Sequence, residues 1–301
     1  MKVSVVITTY DRADLLPGCL AGLQVQDAPA ADYEVIVIDN AGQEECQRSV
    51  ESYGFRYIYE GKTGICYARN RGLEEARAPW VLYFDDDTLL PPDIVRSYIS
   101  YLPQVAGGAA FGGAFTHWYK SDPPDWLRME MGVGKFPGSN TSFGVLPESR
   151  YLIGCFFGVD VAKAKAAGGF SPGYGMKGKE VGWADETELQ FRMRAAGMTV
   201  YYAPELVIEH LIQPWKCSFR GRLRYAYSHG KMSWLPTGDN RYSMASFVLD
   251  ILRITFVVFP VTLLRWVFRH REWYWQNAAL IVLTKYAFAY GRLSKRWKVS
   301  V

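Results

Sequence analysis

Over the first hundred residues the apolar positions come as short unbroken runs. Val5-Val6-Ile7 opens the series, Val35-Ile36-Val37-Ile38 follows, and Trp80-Val81-Leu82-Tyr83-Phe84 closes it. Runs of this length, apolar on both faces, predict strands covered on both sides. Residues 3–8, 33–38, 55–59 and 80–84 read as strands, and 11–24, 43–52 and 68–76 as the helices between them. Short strands separated by single helices predict an α/β domain: a mostly parallel sheet flanked by helices.

Residues 107–158 break this rhythm. They are rich in Gly, Pro and aromatic residues, with Gly112-Gly113 and Pro123-Pro124-Asp125-Trp126, and read as strands with long loops that wall a second substrate. A helix at 159–167, a helix at 186–196 and strand-like segments at 199–203 and 206–210 follow.

Ligands of a parallel sheet bind beyond the carboxyl ends of its strands. That rule selects Thr8-Thr9-Tyr10-Asp11, Asp39-Asn40 and Asp85-Asp86-Asp87 together. Three adjacent carboxylates repel one another, and a divalent cation offsets that repulsion. In extended chain Asp85 and Asp87 share one face and Asp86 the other. One face then suits a hard metal ion with substrate phosphates, and the other a ribose. The plainer alternative is a solvated turn with Asp87 capping a helix. Asp39 either receives a ribose hydroxyl or a base N–H, or caps the next helix. Arg69 and Arg71, near the start of a helix, suit phosphate or carboxylate, or pair with Glu74 or Glu75.

A second acidic cluster, Asp185-Glu186-Thr187-Glu188, sits at a helix start, where the dipole favours carboxylates. Its chemical reading is a general base for a hydroxyl. His210, after Val207-Ile208-Glu209, is a strand-end histidine that is either structural or completes a metal sphere. Gly61-Lys62-Thr63 mimics the end of a P-loop, but Arg56 stands where that motif needs glycine. Gly173-Tyr174-Gly175-Met176-Lys177-Gly178 satisfies G-x-G-x-x-G without the strand and apolar helix that motif needs, and reads as a flexible substrate loop.

Charge divides the chain. From Trp215 onward 15 Lys or Arg face 3 acidic residues, whereas the whole chain of 301 residues carries only +4. The body is therefore acidic and the end basic, and the end also holds six of the ten tryptophans. Five cysteines without C-x-x-C spacing suggest neither a disulfide framework nor a zinc site, and the opening apolar run is too short for a signal peptide. A reduced cytosolic setting is the expectation.

Together these residues resemble family 2 glycosyltransferases of the GT-A fold, which move sugars from nucleotide donors with inversion. The resemblance runs from Val3 to about His210. It is carried by Ser4-Val5-Val6-Ile7-Thr8-Thr9-Tyr10-Asp11-Arg12, Asp39-Asn40, Ala68-Arg69-Asn70-Arg71-Gly72, the aspartate run, Gly168-Gly169-Phe170, and Asp185-Glu186-Thr187-Glu188-Leu189 with Arg192, Gly197 and His210 downstream. It implies a catalytic domain over 1–212; beyond His210 the pattern fades, and 213–301 reads from its own residues as a helical, basic and apolar extension. The resemblance also implies that Thr8, Tyr10, Asp39 and Arg69 line a nucleotide base pocket, that Asp85 or Asp86 meets the ribose, and that Asp87, with His210, holds Mn2+ or Mg2+. The family usually places a catalytic aspartate in a Glu-Asp pair. Here the order is Asp185-Glu186, which leaves the base between the two and favours Glu186 by position. The expected donor is a nucleoside-diphosphate sugar, and the acceptor a hydroxyl of a saccharide, growing polysaccharide or lipid-linked saccharide. The rivals are a catalytically silent membrane-bound scaffold and a nucleotidylyltransferase, which would need a Gly-rich basic loop in place of Thr8-Thr9-Tyr10-Asp11-Arg12.

In the tail, 254–264 and 273–284 are uncharged for 11 and 12 residues. Both are shorter than a span of ~18 and suit interfacial segments. Flanking cations, Arg253, Arg265, Arg269, Arg271, Lys285, Arg292, Lys295, Arg296 and Lys298, point to an anionic membrane surface, peripherally on the inner face of the cell membrane. Packing against the body or self-association is the alternative, and interleaved apolar runs fit nucleic acid poorly.

Overall fold

A computed structural model describes residues 1–131, 142–233, 242–268 and 273–296. The chain divides into two compact units. The first comprises Met1–Trp118, Gly134–Glu180 and Ala184–Leu211; the second comprises Tyr119–Val133, Val181–Trp183 and Ile212–Val301. The helical end of the chain thus shares its unit with two earlier segments.

The first unit is built on one sheet of nine strands among the described residues: β1 (Val3–Thr9), β2 (Tyr33–Asp39), β3 (Arg56–Tyr59), β4 (Trp80–Asp85), β5 (Thr88–Leu89), β6 (Ala110–Trp118), β7 (Gly144–Val145), β8 (Phe156–Asp160) and β9 (Val200–Leu211). The order is β3-β2-β1-β4-β8-β6-β9-β5, with β7 also on β9. β3, β2, β1 and β4 are parallel, β8 runs against both β4 and β6, and β9 is parallel to β6. The mostly parallel expectation describes this sheet.

The strands are short because each is an apolar run ended by polar residues. Val5, Ile7, Val35 and Val37 face one buried cluster, while Val6, Ile36 and Ile38 face another. Burial on both faces is what the unbroken apolar runs required.

Several boundaries differ from expectation. The first helix is Leu16–Gln24, not 11–24, because Asp11 has φ +55 and Pro17 is tolerated only in a first turn. Val159 belongs to β8, and the helix after it is Val161–Ala166. The two strand-like segments at the end of the domain are one strand, β9. Its pairing with β6 steps from Gly113↔Ala203 to Ala114↔Val207, so Pro204, Glu205 and Leu206 bulge out where a proline needs no ladder bond. The G-x-G-x-x-G segment is closed by reciprocal backbone hydrogen bonds between Lys177 and Glu180, of 3.3 and 3.0 Å.

In the second unit, helices Phe219–Met232 and Trp275–Arg296 pack so closely that a Cβ on Gly230 would lie 2.1 Å from the Phe288 carbonyl. The expectation that the run at 254–264 is too short to span is corrected here. The run at 254–264 is the middle of one continuous helix, Met244–Phe268, long and apolar enough to cross a membrane. It passes through a π turn, Ile254–Val258, just before Pro260, and such a widened turn accommodates the carbonyl that proline leaves without a donor. Arg269, Arg271 and Lys298 lie outside the described residues.

Candidate active site

Asp85 ends β4 beside Thr8 of β1, its partner in the ladder. The chain then turns into β5, whose antiparallel pairing with β9 sets Thr88 opposite His210. That register brings together residues more than a hundred positions apart. His210 Nε2 lies 3.1 Å from Asp87 Oδ1 and 3.6 Å from Asp85 Oδ2. One ligand atom from each of Asp85, Asp87 and His210 falls within 4.8 Å of the others. Two carboxylates and an imidazole form a mixed oxygen and nitrogen set that suits a divalent ion such as Mn2+.

Asp86 points the other way, because Asp86 and Asp87 form the turn between β4 and β5 and not the extended segment the sequence suggested. Thr9 Oγ1 donates to it at 2.7 Å and Arg12 Nη1 at 2.9 Å, while Arg12 also reaches Asp87 at 3.2 Å. Burial pushes the Asp86 carboxyl up to about 7, with Asp87 adding to the shift and Arg12 opposing it. Asp86 and Asp87 are buried, and a strand, not a helix, follows them. The solvated-turn alternative is therefore not what the chain adopts. Sequence reasoning gave Arg12 no role, although a loop facing two buried carboxylates calls for a cation.

The second acidic cluster opens helix Asp185–Ala195, preceded by Ala184 at φ +70. That left-handed conformation costs a residue with a Cβ about 1–2 kcal/mol, and it turns the helix start inward. Arg69, on helix Ile65–Glu75, is only 2% exposed. Its guanidinium donates to Asp185 and to the Gly154 carbonyl, the latter at 2.9 Å. It also lies 3.5 Å from Asp85 Oδ1 and 3.9 Å from Glu186 Oε2. The rings of Phe157, Phe170 and Tyr83 surround it at 5.2, 5.7 and 5.8 Å. One buried cation thus joins the two acidic clusters. Burial pushes the Glu186 carboxyl up to about 8; Asp185 adds to the shift and Arg69 opposes it.

Two glycines hold this arrangement open. A Cβ on Gly154 would come 2.8 Å from Arg69 Nη2. Gly175, at φ +71, would press one to 2.9 Å from Asp185 Oδ1. Gly154 was not singled out in the sequence and Gly175 only as part of a G-x-G-x-x-G loop, because a glycine's need for space shows only once its neighbours are placed.

At the far side of the strand ends, Asp39 accepts from Ala41 N at 2.8 Å, Gln43 N at 2.9 Å and Tyr57 Oη at 3.0 Å. It fixes the turn before helix Glu44–Ser52. Asn40 accepts from Gly64 N at 2.7 Å, tying this loop to the start of the Arg69 helix. Thr8 and Tyr10 are half-buried on the same edge. The structure therefore gathers Asp85, Asp87, His210, Arg69, Asp185 and Glu186 into one contiguous group. Thr8 adjoins it, and Asp39 lies on the neighbouring strand β2.

Residues 4–166 match glycosyl transferase family 2. The chain belongs to that family. Asp185, Glu186 and His210 lie beyond the matched segment. Among curated family relatives, validoxylamine A glucosyltransferase of Streptomyces hygroscopicus subsp. jinggangensis is 35% identical over 104 residues, covering 33% of this chain and 25% of its own length. Chondroitin synthase of Escherichia coli is 35% identical over 106 residues, covering 33% of this chain and 15% of its own. The matches thus span about a quarter or less of these relatives. Two solved structures extend the likeness to the whole chain. Mannosyltransferase PcManGT from Pyrobaculum calidifontis, in complex with GDP-Man and Mn2+, superposes with TM-score 0.63 at 17% identity, over 99% of this chain and 87% of its own. Staphylococcus aureus TarS 1-349 in complex with UDP-GlcNAc gives TM-score 0.58 at 12% identity, over 99% and 92%. At these identities the likeness establishes the fold: a GT-A type α/β sheet, as the family resemblance implied, with the helical C-terminal extension that the tail's own residues suggested.

Proposed function

We propose that this chain is an inverting glycosyltransferase that moves a sugar from a nucleoside-diphosphate donor to a hydroxyl of a saccharide or lipid-linked saccharide. The observation that carries the reading is the pair of acidic clusters joined through Arg69. One has the chemistry of a metal–diphosphate site, the other that of a general base, and a displacement at an anomeric carbon needs both.

In this reading Glu186 takes the proton from the acceptor hydroxyl. The acceptor oxygen bonds to the anomeric carbon as the bond from that carbon to the β-phosphate oxygen breaks, and the electron pair leaves with the nucleoside diphosphate. Asp185 is committed to Arg69 and serves as the fixed counter-charge beside the base. Asp85, Asp87 and His210 would hold the divalent ion, which neutralises charge on the leaving diphosphate when bound. Thr8, Tyr10 and Asp39 line the edge where the base would lie. Of the two ribose candidates, the Asp85 side chain is 28% exposed and the Asp86 side chain 4%, so Asp85 is the more open. Arg69 is enclosed by protein groups, so in this reading it orients carboxylates and does not touch the nucleotide base.

Relatives solved with GDP-Man and UDP-GlcNAc support a nucleoside-diphosphate sugar as donor. Thermal stabilisation by uridine, guanosine and thymidine diphosphates, with and without Mn2+, tests the donor half. A metal-dependent rise in Tm with one base is expected; no response to any of the three removes the reading. The apolar helix Met244–Phe268 and the basic tail support work at the cytoplasmic face of a membrane.

A further inference from the structure

The helix Met244–Phe268 is inside-out for a water-soluble unit. Val248, Leu249, Leu252, Phe256, Val257 and Leu264 lie on its open side, with Leu249 66% and Phe256 71% exposed. Its inward side carries polar groups beside the buried Ile254. Asp250 accepts from Tyr242 Oη at 2.6 Å, and the Thr255 and Tyr286 hydroxyls are 2.7 Å apart. An exposed apolar face of this size marks an interaction surface.

Length and composition alone would let this helix cross a bilayer. Its neighbours argue otherwise. Tyr286, which meets the helix at its midpoint, follows Lys285, whose side chain is exposed. Arg253 and Arg265 are also exposed along the helix itself. A crossing would place Lys285 and Arg253 well inside the hydrocarbon, where cations are costly. Lying flat, the helix would sink its apolar side chains to the acyl boundary while the arginines extend to headgroup level.

Resting on the membrane reading above, we propose that Met244–Phe268 is an in-plane membrane anchor, seated in the interface of a bilayer rich in anionic lipid. Charge selects this occupant over a second copy of the chain. Two copies meeting face to face would oppose Arg253 and Arg265 with like charges, whereas anionic headgroups neutralise them. The π turn serves the same geometry. It re-phases the helix midway, so that apolar side chains before and after it stay on the open side.

Depth measurements on the full chain test this. Val248→Cys, Phe256→Cys and Leu264→Cys, each made in a Cys217→Ser background and labelled with an environment-sensitive fluorophore, are bound to vesicles of equal phosphatidylglycerol and phosphatidylcholine carrying bromines at shallow or deep acyl positions. An in-plane helix gives the same shallow quenching at all three sites. A spanning helix gives deep quenching at 256 and shallow quenching at both ends, which overturns the in-plane geometry but not membrane binding. Failure of the wild-type chain to bind these vesicles at low salt overturns both. The double variant Leu249→Glu/Phe256→Glu should lower the vesicle-bound fraction at least about tenfold and leave turnover on a soluble acceptor unchanged. A lipid-free dimer that this variant converts to monomer assigns the face to self-association and also overturns the proposal.

Discussion

The guanidinium of Arg69 donates directly to the carboxylate of Asp185 across 116 positions of sequence, in a pocket closed by three aromatic rings. Neither group is a surface charge. Removing one partner of a buried pair strands the other, at a cost of about 3–5 kcal/mol. Arg69→Met should therefore lower stability by about that amount in urea unfolding. Arg69→Met/Asp185→Leu should recover a large part of the loss. Simple additivity of the two single variants would show that the pair is not coupled.

Glu186→Gln is expected to abolish glycosyl transfer while nucleoside-diphosphate binding, read by calorimetry, stays within about twofold of wild type. Retained turnover in Glu186→Gln with loss in Asp185→Asn would transfer the base role to Asp185.

The pH dependence follows from the same carboxyl. Its protonation in the folded chain persists up to about 8, above the ordinary glutamate value of 4.5. Between those values the folded state holds a proton that the unfolded state has released, so this group's contribution to stability falls as pH rises through the window. The rate should instead climb toward pH 8 as the base ionises. Glu186→Gln should flatten the stability decline, a change visible in Tm measured at intervals from pH 5 to 9.

His210→Gln and Asp87→Asn each remove one candidate ligand. Either is expected to weaken Mn2+ binding by at least about tenfold, read by calorimetry or by the paramagnetic signal of free Mn2+. Asp86→Asn should change Mn2+ affinity far less, because its oxygens face Thr9 and Arg12. Equal effects at positions 86 and 87 would place the metal elsewhere.

Gly154→Ala adds a single methyl against Arg69. It should cost about 1–3 kcal/mol and reduce turnover together with stability. Gly173→Ala, where a Cβ meets nothing within 4 Å, is the control and should leave both unchanged.

Much of this architecture was legible in the sequence, for a physical reason. Buried parallel strands leave an unbroken apolar signature, and the acids that end them sit where the chain exits the core. Thr8, Asp39 and Asp85 were located by that logic alone. The partners of those acids were not, because contact between Arg69 and Asp185, or between Asp87 and His210, is decided by packing and strand register. The β9 bulge disguised one strand as two, since Pro204 and Glu205 read as a break. Asp250, Arg253 and Arg265 divided one long helix into apparent short runs.

The β9 bulge has a consequence for how this site varies. Three residues, 204–206, lie between the part of β9 fixed by Gly113 and the part that carries His210. Strand faces alternate residue by residue, so changing that length by one would move Glu209 or Leu211 into the place opposite Thr88. A carboxylate would enrich the candidate metal site, and a leucine would dismantle it. Insertion or deletion in this bulge, without any substitution among the acids themselves, is thus a short route to a different set of ligand atoms at the candidate metal site.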